Sequence, residues 1–216
     1  MTSLIFLQFL VDVMFLTLVL LHLTKKNFIA VIAFGVQSLM LAMLFFVSFL
    51  ETGNRYILLM VFFTFAIKVV LAPLFFIRLI RKYQLYFSVN TYLSMPATLG
   101  IIAGLTFMAH SARFVPLTQI VPEHQMLLSL ALSLIFIALF LIINRKEAIS
   151  QILSVLALEN SIVVFIIFAG LEQSPNLQIG ILFNIFVWIV IATVFVSMIY
   201  KHFWSHDVTV MKNLTD

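Results

Sequence analysis

The sequence predicts an all-α integral membrane protein with seven transmembrane helices, and three observations lead to this fold class. Of the 216 residues, 64% are hydrophobic and 9% are charged, whereas a soluble domain has about 25% charged residues. The mean hydropathy is +1.22. The apolar runs are long enough to cross a bilayer as helices, which takes about 20 residues. The connectors alternate between many and few basic residues, as in multi-pass proteins.

The predicted spans follow one another through short connectors, which leaves no room for a soluble catalytic domain. Charged residues, Pro or Gly mark the ends of the spans. The predicted spans are Leu4–Leu23, Phe28–Leu50, Tyr56–Ile77, Tyr92–Ala112, Met126–Ile143, Ala148–Leu171 and Leu177–Tyr200. The fourth span is the least regular, because Pro96, Gly100 and Gly104 interrupt its apolar run. The first lacks the basic start and cleavage site of a signal peptide, so we expect a retained helix.

The basic residues of the connectors fall mainly on one side of the predicted membrane. Arg55 and Arg113 lie on the other side. The majority side carries Lys25, Lys26, Arg78, Arg81, Lys82, Arg145, Lys146, Lys201 and Lys212. The positive-inside rule then places the N-terminus outside and the C-terminus in the cytoplasm. The net charge of +4 is thus a feature of membrane topology, and we expect no nucleic-acid partner.

The order of the spans predicts one membrane domain, residues 1–216, with a parallel 3+1+3 repeat. Residues 1–82 form the first three-helix unit, and 83–125 hold the connecting fourth helix and an outer loop. Residues 126–203 form the second unit, and 204–216 form a cytoplasmic tail. Each unit has a short basic turn before a helix with a central polar residue, Gln37 in one and Glu159 in the other. Four helices separate equivalent elements, so both units have the same orientation.

Three charged side chains lie inside predicted spans: Asp12, Lys68 and Glu159. An acidic residue at a helix centre costs roughly 2.5 to 3.5 kcal/mol, so it is expected to pack inward, pair with another group or be protonated part of the time. Asp12 is about two turns from the outer end of its helix, where pairing or solvation is the structural alternative to function. Lys68 precedes Pro73, which removes a backbone donor and can kink the helix.

Glu159 is the strongest functional candidate, because it is the one charged residue in the Ala148–Leu171 run. A buried carboxyl group and a lysine within reach of each other can exchange a proton as the local field changes. Amides in other spans would extend such a path, although a single amide often only holds membrane helices together. The predicted proton relay comprises Glu159, Lys68, Asn184, Gln37 and Asp12.

The sequence indicates no catalytic residue and no metal or cofactor site of its own. The chain has no cysteine, so it supplies no thiolate ligands and forms no disulfide. His202 and His206 are four residues apart, but no third ligand beyond Asp207 accompanies them. Any redox chemistry is therefore expected on a partner protein.

Several segments resemble hydrogenase-4 component E. They are NRKEAISQILSVLALENSIVVFIIFAG, QIGILFNIF and the tail HDVTVMKNLTD, together with KKNFIAVIAFGVQSL and IKVVLAPL in the first half. That family forms a membrane subunit of group 4 nickel–iron hydrogenases and formate hydrogenlyase-like complexes. The resemblance implies hydrogenase large and small subunits and antiporter-like membrane subunits as partners. It also implies a nickel–iron centre and iron–sulfur clusters on those partners, in a bacterial or archaeal cytoplasmic (inner) membrane.

The last three spans are also similar to the K subunit of respiratory complex I and to component C of multisubunit cation/proton antiporters. In those relatives a central glutamate follows a short basic turn, and a second buried acid lies on the next helix. Glu159 matches the first position. The seventh span has no acid, and Asn184 is its nearest polar group. Either Lys68 or a neighbouring subunit then completes the path, or the chain transmits conformational change between other subunits.

We therefore expect a non-catalytic membrane subunit of a proton-translocating, complex I-like membrane-bound hydrogenase, itself part of an oxidoreductase complex. One alternative is a subunit of a multisubunit cation/proton antiporter, and another is a self-sufficient transporter. A photoreceptor is disfavoured, because the buried lysine lies in the third span, whereas rhodopsins as a family carry theirs in the seventh.

Overall fold

A computed structural model describes residues 4–85 and 91–171 of the protein, together with the isolated positions 179, 180, 183, 190 and 194. This part of the chain is helical and contains no strand, which confirms the all-α prediction. Five of its helices are long and apolar enough to cross a membrane, or six if one bent pair counts as a span. The seventh predicted span, Leu177–Tyr200, lies outside the described residues except for those isolated positions, as does the tail 204–216.

The first two spans form an antiparallel hairpin. Helix α1 is Leu4–Leu23 and helix α2 is Asn27–Thr52. Gly53 ends α2 with a φ of 66°, and its N–H donates to the carbonyl of Phe49; glycine adopts this left-handed conformation without a steric penalty. The structure thus agrees with the predicted bounds of both spans to within two residues.

The third span runs without interruption through three helical segments. Helix α3 is Arg55–Phe63, a π-helical segment is Thr64–Leu71, and helix α4 is Ala72–Tyr83. The side chain of Asn54 caps α3 by accepting a hydrogen bond from the N–H of Tyr56 at 3.0 Å. Together these segments form the longest of the candidate spans among the described residues.

Pro73 accounts for the irregular backbone in the third span. It has no N–H to donate, and in a regular α-helix its ring clashes with the carbonyl four residues earlier. The π-helical segment Thr64–Leu71 ends two residues before this proline, so the backbone is widened where the clash would arise. The proline ring also lies close to α2, because a Cβ atom added to Gly35 would be 3.4 Å from Pro73 Cγ.

The fourth predicted span, Tyr92–Ala112, is shorter in the structure. Helix α5 is Met95–Ala109, about 22 Å long. Pro96 lies in its first turn, a position that needs no N–H donor. A 3₁₀ turn follows, and then the short helix α6, Val115–Thr118, with a bend of 50° between this second part and α5. This span crosses the membrane only if the bent pair counts as one element.

The next two spans form a second hairpin. Helix α7 is Gln125–Asn144, preceded by a 3₁₀ turn at Pro122–His124, and helix α8 is Ala148–Phe168. The turn between α7 and α8 has three residues, like the turn between α1 and α2. Helix α8 packs against α2, and α7 packs against α1 and α5. The buried aliphatic and aromatic side chains between these helices form one core, and α7 and α8 agree with their predicted bounds to within three residues.

Helices α2 and α8 lie side by side and run in the same direction. Asn27, the first residue of α2, donates from Nδ2 to Oε1 of Glu147, the residue before α8, at 2.7 Å. Farther along, Asn160 of α8 donates from Nδ2 to Ser38 Oγ of α2 at 3.1 Å. Both contacts join residues that lie at similar distances from the starts of α2 and α8. The two helices are therefore parallel and in register. The predicted repeat requires this arrangement of its two central helices.

One end of the bundle carries most of the positive charge, and we call it the basic end. Asn27 Nδ2 donates to the carbonyl of Leu85 at 2.9 Å, and Tyr92 N donates to the carbonyl of Asn144 at 3.1 Å. These contacts place both hairpin turns, the residues after α4 and the residues before α5 together. Of the Lys and Arg residues in the described ranges, this end holds Lys25, Lys26, Arg78, Arg81, Lys82, Arg145 and Lys146, and the opposite end holds Arg55 and Arg113.

Candidate functional site

A buried ion pair connects the third span with α8. The ammonium nitrogen of Lys68 lies 3.0 Å from Oε1 of Glu159. Lys68 is 1% exposed and Glu159 is 8% exposed. The two side chains that the sequence singled out in separate apolar spans thus meet inside the helix bundle, where a charged group requires a partner.

The π-helical segment positions Lys68. Thr64 and Lys68 are the buried residues of this segment, and the segment packs against α2. Because a π-helical turn contains more residues than an α-helical turn, it changes the direction in which the following side chains leave the helix axis. Such turns are rare and occur often at functional sites. The widened backbone before Pro73 therefore determines where the lysine points.

Asn160, the residue after Glu159, is the centre of the polar cluster. Its Oδ1 accepts a hydrogen bond from Lys68 Nζ at 2.8 Å. Its Nδ2 donates to Ser38 Oγ at 3.1 Å and to Gln37 Oε1 at 3.5 Å. Asn160, Ser38 and Gln37 are all fully buried. The cluster therefore continues from the ammonium group of Lys68 through one amide to two polar side chains of α2.

Three atoms of this cluster have no hydrogen-bond partner among the described residues. They are Nε2 of Gln37 and both carboxylate oxygens of Glu159, of which Oε1 has the ion pair with Lys68. Buried polar groups in proteins are nearly always hydrogen-bonded, and their desolvation is costly when they are not. Nε2 of Gln37 is thus suited to bind a further acceptor, and Oε2 of Glu159 is suited to bind a further donor.

The other two predicted relay residues lie elsewhere. Asp12 is on the exposed side of α1 and does not join the Lys68–Glu159 cluster. Asn184 is outside the described residues. The structure therefore groups Glu159, Lys68 and Gln37, and the participation of all five residues in a relay stays a prediction.

Ser38 and Asn160 are members of the cluster outside the five predicted relay residues, although the sequence marks Asn160 as a polar neighbour of Glu159 that suits a hydrogen-bonded path. Each directly follows a residue that the relay prediction included, Gln37 and Glu159. The sequence feature that could have identified them is their distance from the basic turns. Ser38 lies about as many residues after the start of α2 as Asn160 lies after the start of α8. That distance becomes informative only once the two helices are known to be parallel and in register.

A second buried polar cluster ties the two hairpins together at the basic end. Arg145 is 3% exposed, and its Nη2 donates to the carbonyls of Leu21 and Thr24. Glu147 is fully buried and accepts from Asn27 Nδ2 at 2.7 Å. Burial lowers the pKa of the Arg145 guanidinium from its usual value, and the charge of Glu147 opposes this shift. Arginine stays protonated in proteins, so Arg145 keeps its positive charge beside the charge of Glu147.

Metal-binding groups do not come together in the part of the chain that the structure describes: no three His, Cys, Asp or Glu residues lie close enough to hold an ion. His202 and His206 lie outside the described residues.

Residues 126–216 match the family model of NADH-ubiquinone/plastoquinone oxidoreductase chain 4L, the family of the complex I K subunit. The match covers less than half of the chain and includes α7 and α8 with Glu159 and Asn160. It agrees with the resemblance of the last three predicted spans to that subunit. The resemblance to hydrogenase-4 component E has no support from this match and stays a prediction. No curated protein and no solved structure matches the chain.

Proposed function

We propose that the protein is a non-catalytic membrane subunit of a proton-translocating, complex I-like membrane-bound hydrogenase. The observation that carries this proposal is the ion pair between Lys68 and Glu159, buried in a helix bundle and connected to further polar groups. The match of residues 126–216 to chain 4L supports a place among the membrane subunits of an oxidoreductase complex. The hydrogenase part of the proposal rests on the sequence resemblance to hydrogenase-4 component E.

In this function Lys68 and Glu159 share a proton. In one state the lysine is an ammonium ion and the glutamate is a carboxylate. Transfer of the proton from Nζ to a carboxylate oxygen gives a neutral amine and a carboxylic acid, and the total charge of the pair does not change. Desolvation favours the neutral state and mutual attraction favours the charged state, so a change in nearby charge shifts the balance between them.

The neighbouring polar groups adjust this balance and extend the path. Asn160 Oδ1 accepts from the ammonium group and so stabilises the charged state. Ser38 both donates and accepts hydrogen bonds through its hydroxyl group, which suits it to pass a proton along. We place Asn184 of the seventh predicted span as a further polar group of the path. Asp12, on the exposed side of α1, is the fifth group of the proposed relay.

The redox centres belong to partner subunits in this proposal. The chain has no cysteine, so it cannot supply the thiolates that iron–sulfur clusters require. The partners are the hydrogenase large and small subunits, which would carry the nickel–iron centre and the clusters, and antiporter-like membrane subunits. The positive-inside rule supports a basic end at the cytoplasm and an N-terminus outside. The resemblance to hydrogenase-4 component E supports a bacterial or archaeal inner membrane.

A multisubunit cation/proton antiporter is the second candidate. The same buried lysine–glutamate pair would serve a subunit of that kind, and component C of such antiporters also resembles the last three predicted spans. The two candidates differ in their partners. Hydrogenase large and small subunits accompany the chain in one complex, and antiporter components alone accompany it in the other.

Affinity purification of the tagged protein in mild detergent, with mass spectrometry of the proteins that come with it, tests the assignment to a complex. We expect a nickel–iron hydrogenase module and antiporter-like subunits. Antiporter components without hydrogenase subunits would establish the second candidate instead. Recovery of the chain alone, monodisperse and at full yield, would overturn both and favour a self-sufficient transporter.

The Glu159→Gln variant in the purified complex tests the relay itself. The substitution keeps the shape of the side chain and removes its titratable group. We expect normal assembly and normal hydrogen oxidation with an artificial electron acceptor, while redox-linked proton translocation falls by at least about tenfold. Glu123→Gln is the matched control, because Glu123 is exposed in the turn before α7. Unchanged translocation in the Glu159 variant would refute the relay, and loss of assembly would indicate a structural role.

A further inference from the structure

A cavity of about 390 Å³ opens at the basic end of the bundle, between the ends of α1 and α7 and the start of α5. Two cationic side chains, Lys25 and Arg145, line it together with Ser94. Thr91 and Thr98 also line it, but their hydroxyl groups already donate to main-chain carbonyls. Among the described residues, no acidic side chain is part of its lining. The positive charge of Lys25 and Arg145 makes this cavity suited to an anion.

The positive charges around the cavity are held at different depths. Arg145 is buried and fixed by the main-chain carbonyls of Leu21 and Thr24. Lys25 is exposed at the opening. The ammonium nitrogen of Lys146 lies 4.5 Å from the centre of the Tyr92 ring, which also lines the cavity. The lining thus contains one cation from each of two hairpin turns, Lys25 and Arg145, and the charge of Glu147, outside the lining, offsets part of the Arg145 charge.

An apolar groove of about 730 Å³ begins beside this cavity. Thr98 lines the cavity and Leu99, the next residue of α5, lines the groove. On α1, His22 lines the cavity and Val19, one turn earlier, lines the groove. From Leu99 the groove continues along α5 to Phe107, a distance of about 12 Å. The two features therefore follow the same pair of helices, with the polar one at the end of the bundle.

We propose that the cavity and the groove together bind an anionic phospholipid. Its phosphate headgroup occupies the cavity beside Lys25 and Arg145, and one acyl chain lies in the groove between α1 and α5. Basic pockets between membrane helices are suited to anionic headgroups, and the attraction acts at the membrane surface where such headgroups lie. A free phosphate ion is also an anion but gains nothing from the apolar groove, so the pairing of cavity and groove favours the lipid.

Native mass spectrometry of the delipidated full-length chain in detergent tests this site. The chain is titrated with phosphatidylglycerol or with phosphatidylcholine of the same acyl length, and phosphatidylglycerol is also titrated in the presence of excess inorganic phosphate. We expect phosphatidylglycerol to bind at least about tenfold more tightly than phosphatidylcholine, since its net charge is the recognised feature. Equal affinity for the two lipids would overturn the proposal. Complete displacement by inorganic phosphate would identify a site for free anions and would also overturn it.

Two pairs of matched variants localise the binding. Lys25→Gln should weaken phosphatidylglycerol binding about fivefold, whereas Lys26→Gln, which changes an exposed lysine outside the lining, should have little effect. Ala103→Phe should fill the groove and weaken binding of both lipids, whereas Ala97→Phe changes an exposed residue of α5 outside the groove. All four positions are exposed, so folding is expected to persist and is checked by thermal denaturation. Equal effects of the two members of either pair would contradict the proposed location.

Discussion

Lys68 reaches across the helix bundle to Glu159, with 3.0 Å between its ammonium nitrogen and Oε1 of the glutamate. The same nitrogen donates to Oδ1 of Asn160 at 2.8 Å. The lysine therefore binds two consecutive side chains of α8. It extends from the third span, whose backbone is π-helical at Lys68. A charged group with one ionic and one amide partner behaves as a unit, so changes to these residues should not be additive.

The energetic coupling of Lys68 and Glu159 is open to a double-mutant cycle. Lys68→Gln leaves the carboxylate of Glu159 without its cation, and removal of one partner of a buried pair typically costs about 3 to 5 kcal/mol. Glu159→Gln leaves the ammonium of Lys68 with only its amide acceptor and should also destabilise the protein. The double variant removes both charges and should recover most of the loss. Denaturant unfolding in detergent micelles measures the three free energies.

Lys26→Gln is the control for this cycle, because Lys26 is exposed at the basic end. It should not couple to Glu159→Gln. Additive effects of the Lys68 and Glu159 substitutions would show that the two groups are not paired in the membrane.

Asn160 should couple to Ser38 across the interface of α2 and α8. Asn160→Leu keeps a similar volume and removes both the acceptor of Lys68 and the donor to Ser38. Hydrogen bonds between membrane helices contribute about 0.6 kcal/mol on average and up to about 1.7 kcal/mol. We expect a coupling energy in this range between Asn160→Leu and Ser38→Ala, measured by unfolding in micelles. Ser161→Ala is the matched control, since that hydroxyl donates to the carbonyl of Ala157 in its own helix, and its coupling should be near zero.

Asn27 should contribute to stability through its bond to Glu147. Its Nδ2 donates to that buried carboxylate at 2.7 Å and to the Leu85 carbonyl at 2.9 Å. Hydrogen bonds to charged groups contribute about 1.5 to 3 kcal/mol, so Asn27→Leu should lower the free energy of unfolding by this amount. Lys26→Ala, at the neighbouring exposed position, should have little effect. Equal losses in the two variants would show that the buried contact is not formed.

The orientation of the bundle is accessible to cysteine labelling, because the natural chain has no cysteine. Lys25→Cys places a thiol at the basic end, and Arg55→Cys places one at the opposite end; both positions are exposed. The positive-inside rule predicts that a membrane-impermeant maleimide labels Arg55→Cys in intact cells and labels Lys25→Cys only after permeabilisation. The reverse pattern would place the basic end outside and contradict the proposed topology.

Several features of this protein follow from local sequence. The bounds of α1, α2, α7 and α8 agree with the apolar runs to within three residues, because a bilayer requires a long uninterrupted apolar helix wherever the chain crosses it. The third span is one exception, since its helix continues to Tyr83, six residues beyond the predicted end at Ile77. The fourth span is another, since α5 ends at Ala109 and the chain then bends. The prolines and glycines of the fourth span predicted an irregular helix but did not predict where the chain bends or by what angle.

The sequence by itself determined that Lys68 and Glu159 require partners, because the cost of a charge in an apolar span depends only on residue type and depth. Only the tertiary structure decided that they are each other's partners, that Asn160 and Ser38 join them, and that Asp12 stays apart on the exposed side of α1. The physical reason is that a side chain's partner depends on which face its helix turns inward. That face is set by the packing of α2 on α8 and by the π-helical turns before Pro73, and neither is a local property of the chain.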